Sequence, residues 1–269
     1  MRQVSIILPT YNRAHCIKRA VDSVLCQTYP HWELLVVDDG STDNTEEVIA
    51  AYAASDERVR YYGQSFNRGV SAARNEGIRQ ARYDYIAFQD SDDVWHEDKL
   101  EKQMRIFEEN PDAGLVYCAV QGTKQDGSPV RIPDNSMERQ FLRGNLYQLL
   151  LQGNVIGAPA VVMRKECAVQ CGGFDETLSC LEDWELFLRI AKVYEIGYAD
   201  EALVDADFHD GGVSSHAGGY FQARCQMIVM HKRALLEYGL FNQVVERVFL
   251  MAKEAGVFEQ VAKMLQSML

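Results

Sequence analysis

Residues 85–93 read Tyr85-Ile86-Ala87-Phe88-Gln89-Asp90-Ser91-Asp92-Asp93, an apolar run that ends in three carboxylates within four residues. The run predicts a buried strand, so the acids fall where that strand surfaces at its carboxyl end. Crowding like charges there raises their mutual repulsion and the cost of desolvating them. A hard divalent cation that also holds a phosphate offsets both. The competing reading is a helix N-terminus, where Ser and Asp serve as caps. A helix is predicted from about Glu97, and Asp93 or His96 fits that role. One cap is all a helix needs, and it leaves Asp90 and Asp92 unexplained.

The same strand-then-polar pattern recurs upstream. Val4-Ser5-Ile6-Ile7-Leu8 is a β-rich run closed by Pro9, after which Ile17, Ala20, Val21, Val24 and Leu25 recur at helical spacing. Residues 32–37 form a second apolar run that breaks at Asp38-Asp39-Gly40-Ser41. Thr42 or Asp43 then caps a helix carrying Val48, Ile49 and Tyr52. Val59-Arg60-Tyr61-Tyr62 is a third strand, and the turn Asn67-Arg68-Gly69 opens a helix to about Ala81. Strands alternating with helices mean βαβ units and a parallel sheet with right-handed crossovers. Ligands of such sheets bind beyond the carboxyl ends of the strands. Thr10-Tyr11, Asp38-Asp39 and Asp90-Asp92 all converge on that edge.

Beyond Pro111 the pattern changes. Residues 115–120 and 130–132 read as strands around a turn at Asp126-Gly127-Ser128, and residues 137–151 as a helix. A strand is predicted at 160–163, a turn at Gly172-Gly173-Phe174-Asp175 and an amphipathic helix at 182–193. Residues 220–269 are helical and rich in Met, Leu and Val, with breaks near Gly239 and Gly256.

Bulk composition narrows the function classes. The 269 residues are 47% hydrophobic and 25% charged, which is ordinary for a soluble globular chain. The net charge of −12 argues against nucleic-acid binding, which needs a basic surface, and weakens electrostatic docking on anionic lipid. No basic amino-terminal segment precedes an apolar core, and no stretch approaches the ~18–20 apolar residues of a membrane span. The expected location is therefore cytoplasmic. The seven cysteines are scattered and complete no zinc pattern, so free, mostly buried thiols are expected.

Taken in order, these segments resemble family 2 glycosyltransferases. Val4-Ser5-Ile6-Ile7-Leu8-Pro9-Thr10-Tyr11-Asn12 is similar to their opening motif and Val36-Val37-Asp38-Asp39-Gly40-Ser41-Thr42-Asp43 to their second. Asn67-Arg68-Gly69 with Ala73-Arg74-Asn75-Glu76-Gly77 is similar to the third, and Asp90-Ser91-Asp92-Asp93 resembles the metal-binding acidic motif. Gly172-Gly173-Phe174-Asp175 followed by Glu182-Asp183-Trp184-Glu185 resembles the acceptor-side motif. The likeness covers about residues 3–215. It implies an α/β chain with the GT-A fold, a Rossmann-like, mostly parallel central sheet flanked by helices. The implied domain is residues 1–215, with a nucleotide-binding half of about 1–95 and an acceptor-binding half of about 96–215. Residues 216–269 form a helical carboxyl-terminal extension that the likeness does not cover.

The resemblance implies an inverting, metal-dependent transferase that moves a hexosyl- or N-acetylhexosaminyl-type sugar from a UDP-sugar to an acceptor hydroxyl. The implied setting is bacterial surface polysaccharide or glycolipid synthesis, with Mg²⁺ or Mn²⁺ as cofactor. It assigns Pro9, Thr10 and Tyr11 to the nucleotide, with the Tyr11 ring stacked on a uracil-type base. It gives the base contact to Asp39, whose carboxylate can accept an imide N–H, with Asp38 as the competing structural acid. The Arg74 guanidinium suits a diphosphate or base carbonyl, although a salt bridge is the alternative. Asp92 is the candidate metal ligand, Asp90 contacts ribose or the metal through water, and Asp93 is a supporting acid or cap. Asp183 is the candidate general base, its pKa raised by Glu182 beside it. The alternative is that these acids merely favour the helix macrodipole.

His209 opens the flexible stretch Asp210-Gly211-Gly212-Val213-Ser214 and is a candidate metal contact, with His216 behind it. Asp207 stands where the family often carries arginine, which puts phosphate binding by this segment in doubt. Trp95, Gly173, Glu182 and Trp184 are candidates for the acceptor or sugar pocket, with a core role equally open for the two tryptophans. The expected partners are a UDP-sugar and a saccharide or lipid-linked saccharide. For the tail, packing on the domain, a homodimer face and peripheral contact with the inner face of the membrane all remain open. Two other functions fit less of the chain. One is a non-catalytic nucleotide-sugar-binding module. The other is a sugar nucleotidyltransferase, which would need a glycine- and lysine-rich phosphate loop near the amino terminus.

Overall fold

The computed structural model describes residues 2–124, 126–208 and 217–269. The amino-terminal half runs β1 (Val4–Thr10), α1 (Ile17–Leu25), β2 (Trp32–Asp38), α2 (Thr45–Ser55), β3 (Val59–Gly63), α3 (Val70–Gln80) and β4 (Tyr85–Phe88). A short β5 (Val94–Trp95) leads into α4 (Lys99–Glu109), β6 (Ala113–Lys124) and β7 (Pro129–Ile132). Then follow α5 (Tyr147–Gln152), β8 (Val161–Arg164), α6 (Lys165–Gln170), α7 (Glu182–Ala191) and β9 (Glu195–Phe208). The carboxyl-terminal helices are α8 (Ala217–Met230), α9 (Lys232–Glu237), α10 (Phe241–Glu254) and α11 (Phe258–Met268).

Among the described residues the strands form one sheet of order β3-β2-β1-β4-β8-β6-β9-β5, with β7 paired to β6. The chain steps outward from β1 through β2 to β3, then returns so that β4 lies on the other side of β1. All three of these pairings are parallel. The order reverses between β1 and β4, and a crevice opens beyond their carboxyl ends at such a reversal. Beyond β4 the sheet is mixed: β4–β8, β8–β6, β6–β7 and β9–β5 are antiparallel, and β6–β9 is parallel.

The core follows from the sequence pattern. β1 and β2 are buried along their whole length because helices cover both faces, which is why they read as continuous apolar runs. On α1 the buried stripe is Ile17, Ala20, Val21 and Val24. α3 approaches β1 so closely that a Cβ on Gly77 would collide with the Ile7 side chain. That contact sets the height of α3 over the crevice. Four of the seven free cysteines are buried.

Two elements differ from the sequence expectation. The helix expected over 137–151 is reduced to a 3₁₀ turn at Arg139–Phe141 and the short α5. Gly144, at φ +86°, lies between them and exchanges two backbone hydrogen bonds with Ile196 (2.7 and 2.9 Å). A glycine in the left-handed region whose amide serves another strand cannot sit inside a helix. The long β9 was not foreseen, because Asp200-Glu201 interrupts its apolar pattern and its register against β6 shifts near Cys118–Val120.

The carboxyl-terminal helices pack on α5 and α7. The Arg224 guanidinium lies 4.6 Å from the Trp184 ring centroid, and Arg247 donates to the Gln152 carbonyl at 3.0 Å. Buried Glu185 pairs with Arg189 and lies 3.5 Å from His231. Burial pushes the Glu185 pKa up, but nearby His231 and the Arg189 guanidinium win and hold it below the usual range. Among the described residues no helix is long and apolar enough to cross a membrane.

Gly77→Ala tests the α3–β1 contact. At an ordinary helix position the change gains about 1 kcal/mol; here overpacking against Ile7 reverses the sign, for a net loss of about 1–3 kcal/mol. Urea unfolding reads the difference, and a gain in stability would show that α3 can lift away freely.

Candidate nucleotide and transfer site

A cleft of about 650 Å³ opens at the β1–β4 reversal. Its lining includes Pro9, Thr10 and Tyr11 from the end of β1, Asp39 from the end of β2, residues 67–71 and Arg74 from the start of α3, and Asp90, Ser91 and Asp92 after β4. Glu176, Thr177, Leu178, Ser179 and Glu182 form the opposite wall.

The two acids after β2 have different jobs. Asp38 accepts the Tyr61 hydroxyl at 2.9 Å and the Ser41 amide at 2.8 Å, so it fastens β3 and the following loop. Asp39 accepts the amides of Arg68 (2.8 Å) and Gly69 (2.7 Å), one on each oxygen. Each oxygen keeps a second lone pair, so the carboxylate can still accept an N–H from a ligand in the cleft. Burial pushes its pKa up, against the pull of the two amides. Tyr11 stands at the same end with 43% of its surface exposed, a ring available for stacking. The loop beneath it is pinned by Asn12, at φ +53°, whose amide donates to the Ser41 hydroxyl at 2.8 Å.

At the other end the acidic loop is fixed on both sides. Gln89 donates to the Asp93 carbonyl at 2.8 Å, and β5 ties the far end of the loop to Val204 and Asp205 of β9. Arg74 is almost wholly buried and spans two acids, donating to Asp90 at 2.9 Å and to Glu182 at 2.5 Å. Phe174 lies 5.4 Å below its guanidinium. The two nitrogens expected to meet a diphosphate or base are thus already committed to carboxylates. Asp183 starts α7 and accepts the Trp184 amide at 2.7 Å. Loss of solvation, then the charge of Glu182, push its pKa well above the usual carboxylate range, against the pull of Arg74.

Among the described residues, no three His, Cys, Asp or Glu side chains gather as a metal cage. Mg²⁺ and Mn²⁺ do not require one when a substrate phosphate completes the shell, since one or two carboxylates then suffice. Asp92, with its side chain 46% exposed, and Asp90 supply those hard oxygens on one wall of the cleft. The buried hydroxyls of Thr10 and Ser71, both on the cleft lining, find no protein partner, as suits a site for an oxygen-rich ligand.

The sequence candidates divide accordingly. Pro9, Thr10, Tyr11, Asp39, Arg74, Asp90, Asp92 and Glu182 meet at the cleft. Trp95, Gly173, Asp183 and Trp184 are not among its lining residues, although Asp183 directly follows Glu182, which is. Trp95 is buried against Lys99, Trp184 is buried and donates to the Leu150 carbonyl at 2.8 Å, and Gly173 is pressed against Asn75. His209 and His216 lie outside the described residues. Arg13, Arg68, Ser71 and the 176–179 wall were not singled out from the sequence. Arg13 and Arg68 carried a signal in their adjacency to Tyr11 and Gly69, whereas residues 176–179 carried none.

A crevice at this reversal, with an aromatic and an acid at one end and an acidic loop at the other, sits in a sheet of the GT-A class. The sequence pattern of the family described as Glycosyl transferase family 2 matches residues 5–167, and the chain belongs to that family. It is 35% identical over 191 residues to an Escherichia coli protein named UDP-Glc:alpha-D-GlcNAc-diphosphoundecaprenol beta-1,3-glucosyltransferase WfgD, covering 70% of each. It is 37% identical over 163 residues to Bacillus subtilis TuaG, a glycosyltransferase named for teichuronic acid biosynthesis, covering 61% of this chain and 62% of that one. Against a Rickettsia felis glycosyltransferase, 36% identical over 201 residues, the chain spans only 32% of the relative's length. Among solved structures it resembles S. aureus TarS 1–349 (TM-score 0.67, 21% identity, 84% of this chain and 64% of that one). It also resembles the mannosyltransferase PcManGT of Pyrobaculum calidifontis, solved with GDP-Man and Mn²⁺ (TM-score 0.66, 19% identity, 99% and 74%). At these identities the structural likeness establishes the fold.

Arg74→Ala leaves Asp90 and Glu182 facing each other without their shared cation. Removing one partner of a buried ion pair costs about 3–5 kcal/mol, and a loss of that order is expected in urea unfolding. Arg74→Lys, which keeps the charge but not the fork, is expected to lose less.

Proposed function

We propose that this chain transfers a sugar, with inversion, from a UDP-sugar to a hydroxyl of a saccharide or lipid-linked saccharide during bacterial surface-glycan assembly. The observation that carries this reading is one cleft in which a base-sized end (Tyr11, Asp39) and an acidic end (Asp90, Asp92) face Glu182 on the opposite wall. The names of WfgD and TuaG support the polysaccharide setting, and TarS has been solved with UDP-GlcNAc.

In this reading the Tyr11 ring stacks on the uracil and Asp39 accepts its imide N–H. Asp92, helped by Asp90, would hold Mg²⁺ or Mn²⁺, which when bound offsets charge on the leaving diphosphate. Asp183 takes the proton of the acceptor hydroxyl as it attacks from the face opposite the diphosphate. A single in-line displacement of this kind inverts the anomeric centre. Ordinary carboxylates are weak bases, so a raised pKa suits Asp183 to the task.

A screen of UDP-sugars, with GDP-mannose as the competing donor, tests the donor class by nucleotide release in Mn²⁺. Release from one UDP-sugar is expected; release from GDP-mannose alone would overturn the uracil assignment. Asp92→Ala is expected to abolish the Mn²⁺-dependent part of UDP affinity in calorimetry, and equal Mn²⁺ dependence would remove Asp92 from the metal site. The transfer rate should rise with pH through the raised Asp183 value, because only the ionised form accepts a proton. Asp183→Asn is expected to lose about 10²–10⁴-fold in rate together with that limb of the profile.

A further inference from the structure

Three arginines line the cleft, and they differ in what their guanidinium groups already hold. Arg74 is buried with both terminal nitrogens on carboxylates. Arg68 donates to Glu176 at 3.2 Å, tying the loop before α3 to the opposite wall. Arg13 is different. Its side chain is 37% exposed, and its ion pair with Oδ2 of Asp92 is long, at 3.7 Å. Its other neighbour is the thiol of Cys16, a weak partner.

The backbone of Arg13 is nevertheless firmly placed. Its amide donates to the Thr45 hydroxyl at 3.1 Å, and Asn12 before it accepts the Thr42 amide at 2.8 Å. A long cationic side chain with a fixed root therefore stands beside Asp92, two residues from the aromatic ring of Tyr11. Five carboxylates line the same cleft (Asp39, Asp90, Asp92, Glu176 and Glu182) against the three arginines. A diphosphate entering that field needs a cation, and the long pair with Asp92 holds Arg13 less closely than the shorter pairs hold Arg68 and Arg74.

We propose that Arg13 is a diphosphate-binding residue, its guanidinium fork taking an oxyanion of the nucleoside diphosphate while the base sits at Tyr11 and Asp39. Planar guanidinium forks match phosphate oxygens in geometry and charge. A cation held by Asp92 would compete with Arg13 for that carboxylate and leave the guanidinium free for the ligand. The inference rests on the nucleotide reading of the cleft and assigns a residue to its charged end.

Calorimetry of the full chain with UDP and with uridine, in EDTA so that no metal contributes, separates the two. Arg13→Gln is expected to weaken UDP about ten- to a hundredfold, the range for a hydrogen bond between charged groups. Uridine affinity and the thermal midpoint are expected to stay unchanged, because the side chain is half-exposed and the amide bond to Thr45 survives. Arg13→Lys should fall between, keeping charge without the fork. Equal UDP affinity in wild type and Arg13→Gln overturns the assignment and leaves the nucleotide reading standing. Failure of the wild-type chain to bind UDP both in EDTA and in Mn²⁺ overturns both. A parallel loss of uridine and UDP affinity in Arg13→Gln also overturns it, by showing that the residue shapes the base end instead.

Discussion

The site depends on one buried cation. Arg74 leaves the first turns of α3 and reaches Asp90 on the loop after β4 and Glu182 at the start of α7. Those acids come from opposite sides of the cleft, and without a positive charge between them the walls would repel. A buried ion pair is seldom a net source of stability compared with an apolar core. Its value here is positional, since it sets the distance between the acidic loop and the helix that carries Asp183. The close seat of Gly77 on Ile7 fixes α3, and hence the root of Arg74, against the sheet. A backbone contact in the core is thus transmitted to the spacing of the reactive groups.

Charge is divided along the cleft by the same logic. Asp38 is spent on Tyr61 and Ser41, which frees Asp39 to face the ligand. Glu182 pairs with Arg74, and its charge beside Asp183 raises the proton affinity of Asp183. Two adjacent acids therefore carry different roles in each pair, and the difference comes from partners contributed by distant strands and helices.

That is also where the sequence stopped being legible. The parallel half could be read because β1, β2 and β4 are apolar throughout and each ends in a polar cluster. Their order follows from βαβ handedness. Asp39, Tyr11, Asp90 and Asp92 could be placed because they sit directly at strand ends. The mixed half was harder. β9 hides behind Asp200-Glu201 and a bulged register, and the Gly144–Ile196 bridge that cuts the expected helix is a tertiary contact with no local signature. Trp95 and Trp184 drew attention as aromatics beside acids, yet each is anchored in the interior. The commitment of Arg74 to two carboxylates was equally invisible, because Glu182 meets it only after the chain has closed.

The pairing of β5 with β9 bears on how the molecule comes into being. Val94 and Trp95, immediately after the acidic loop, pair as strand residues with Asp205 and Val204. A growing chain can assemble β1 to β4 from neighbours close in sequence, and Gln27 and Thr28 hold the backbone at 96 and 97, whereas the strand pairing beside the acidic loop waits for β9. Closing so long a loop is entropically costly and slow. The Tyr11 and Asp39 end of the cleft is therefore built early, and the strand pairing that frames Asp90 to Asp93 is completed late.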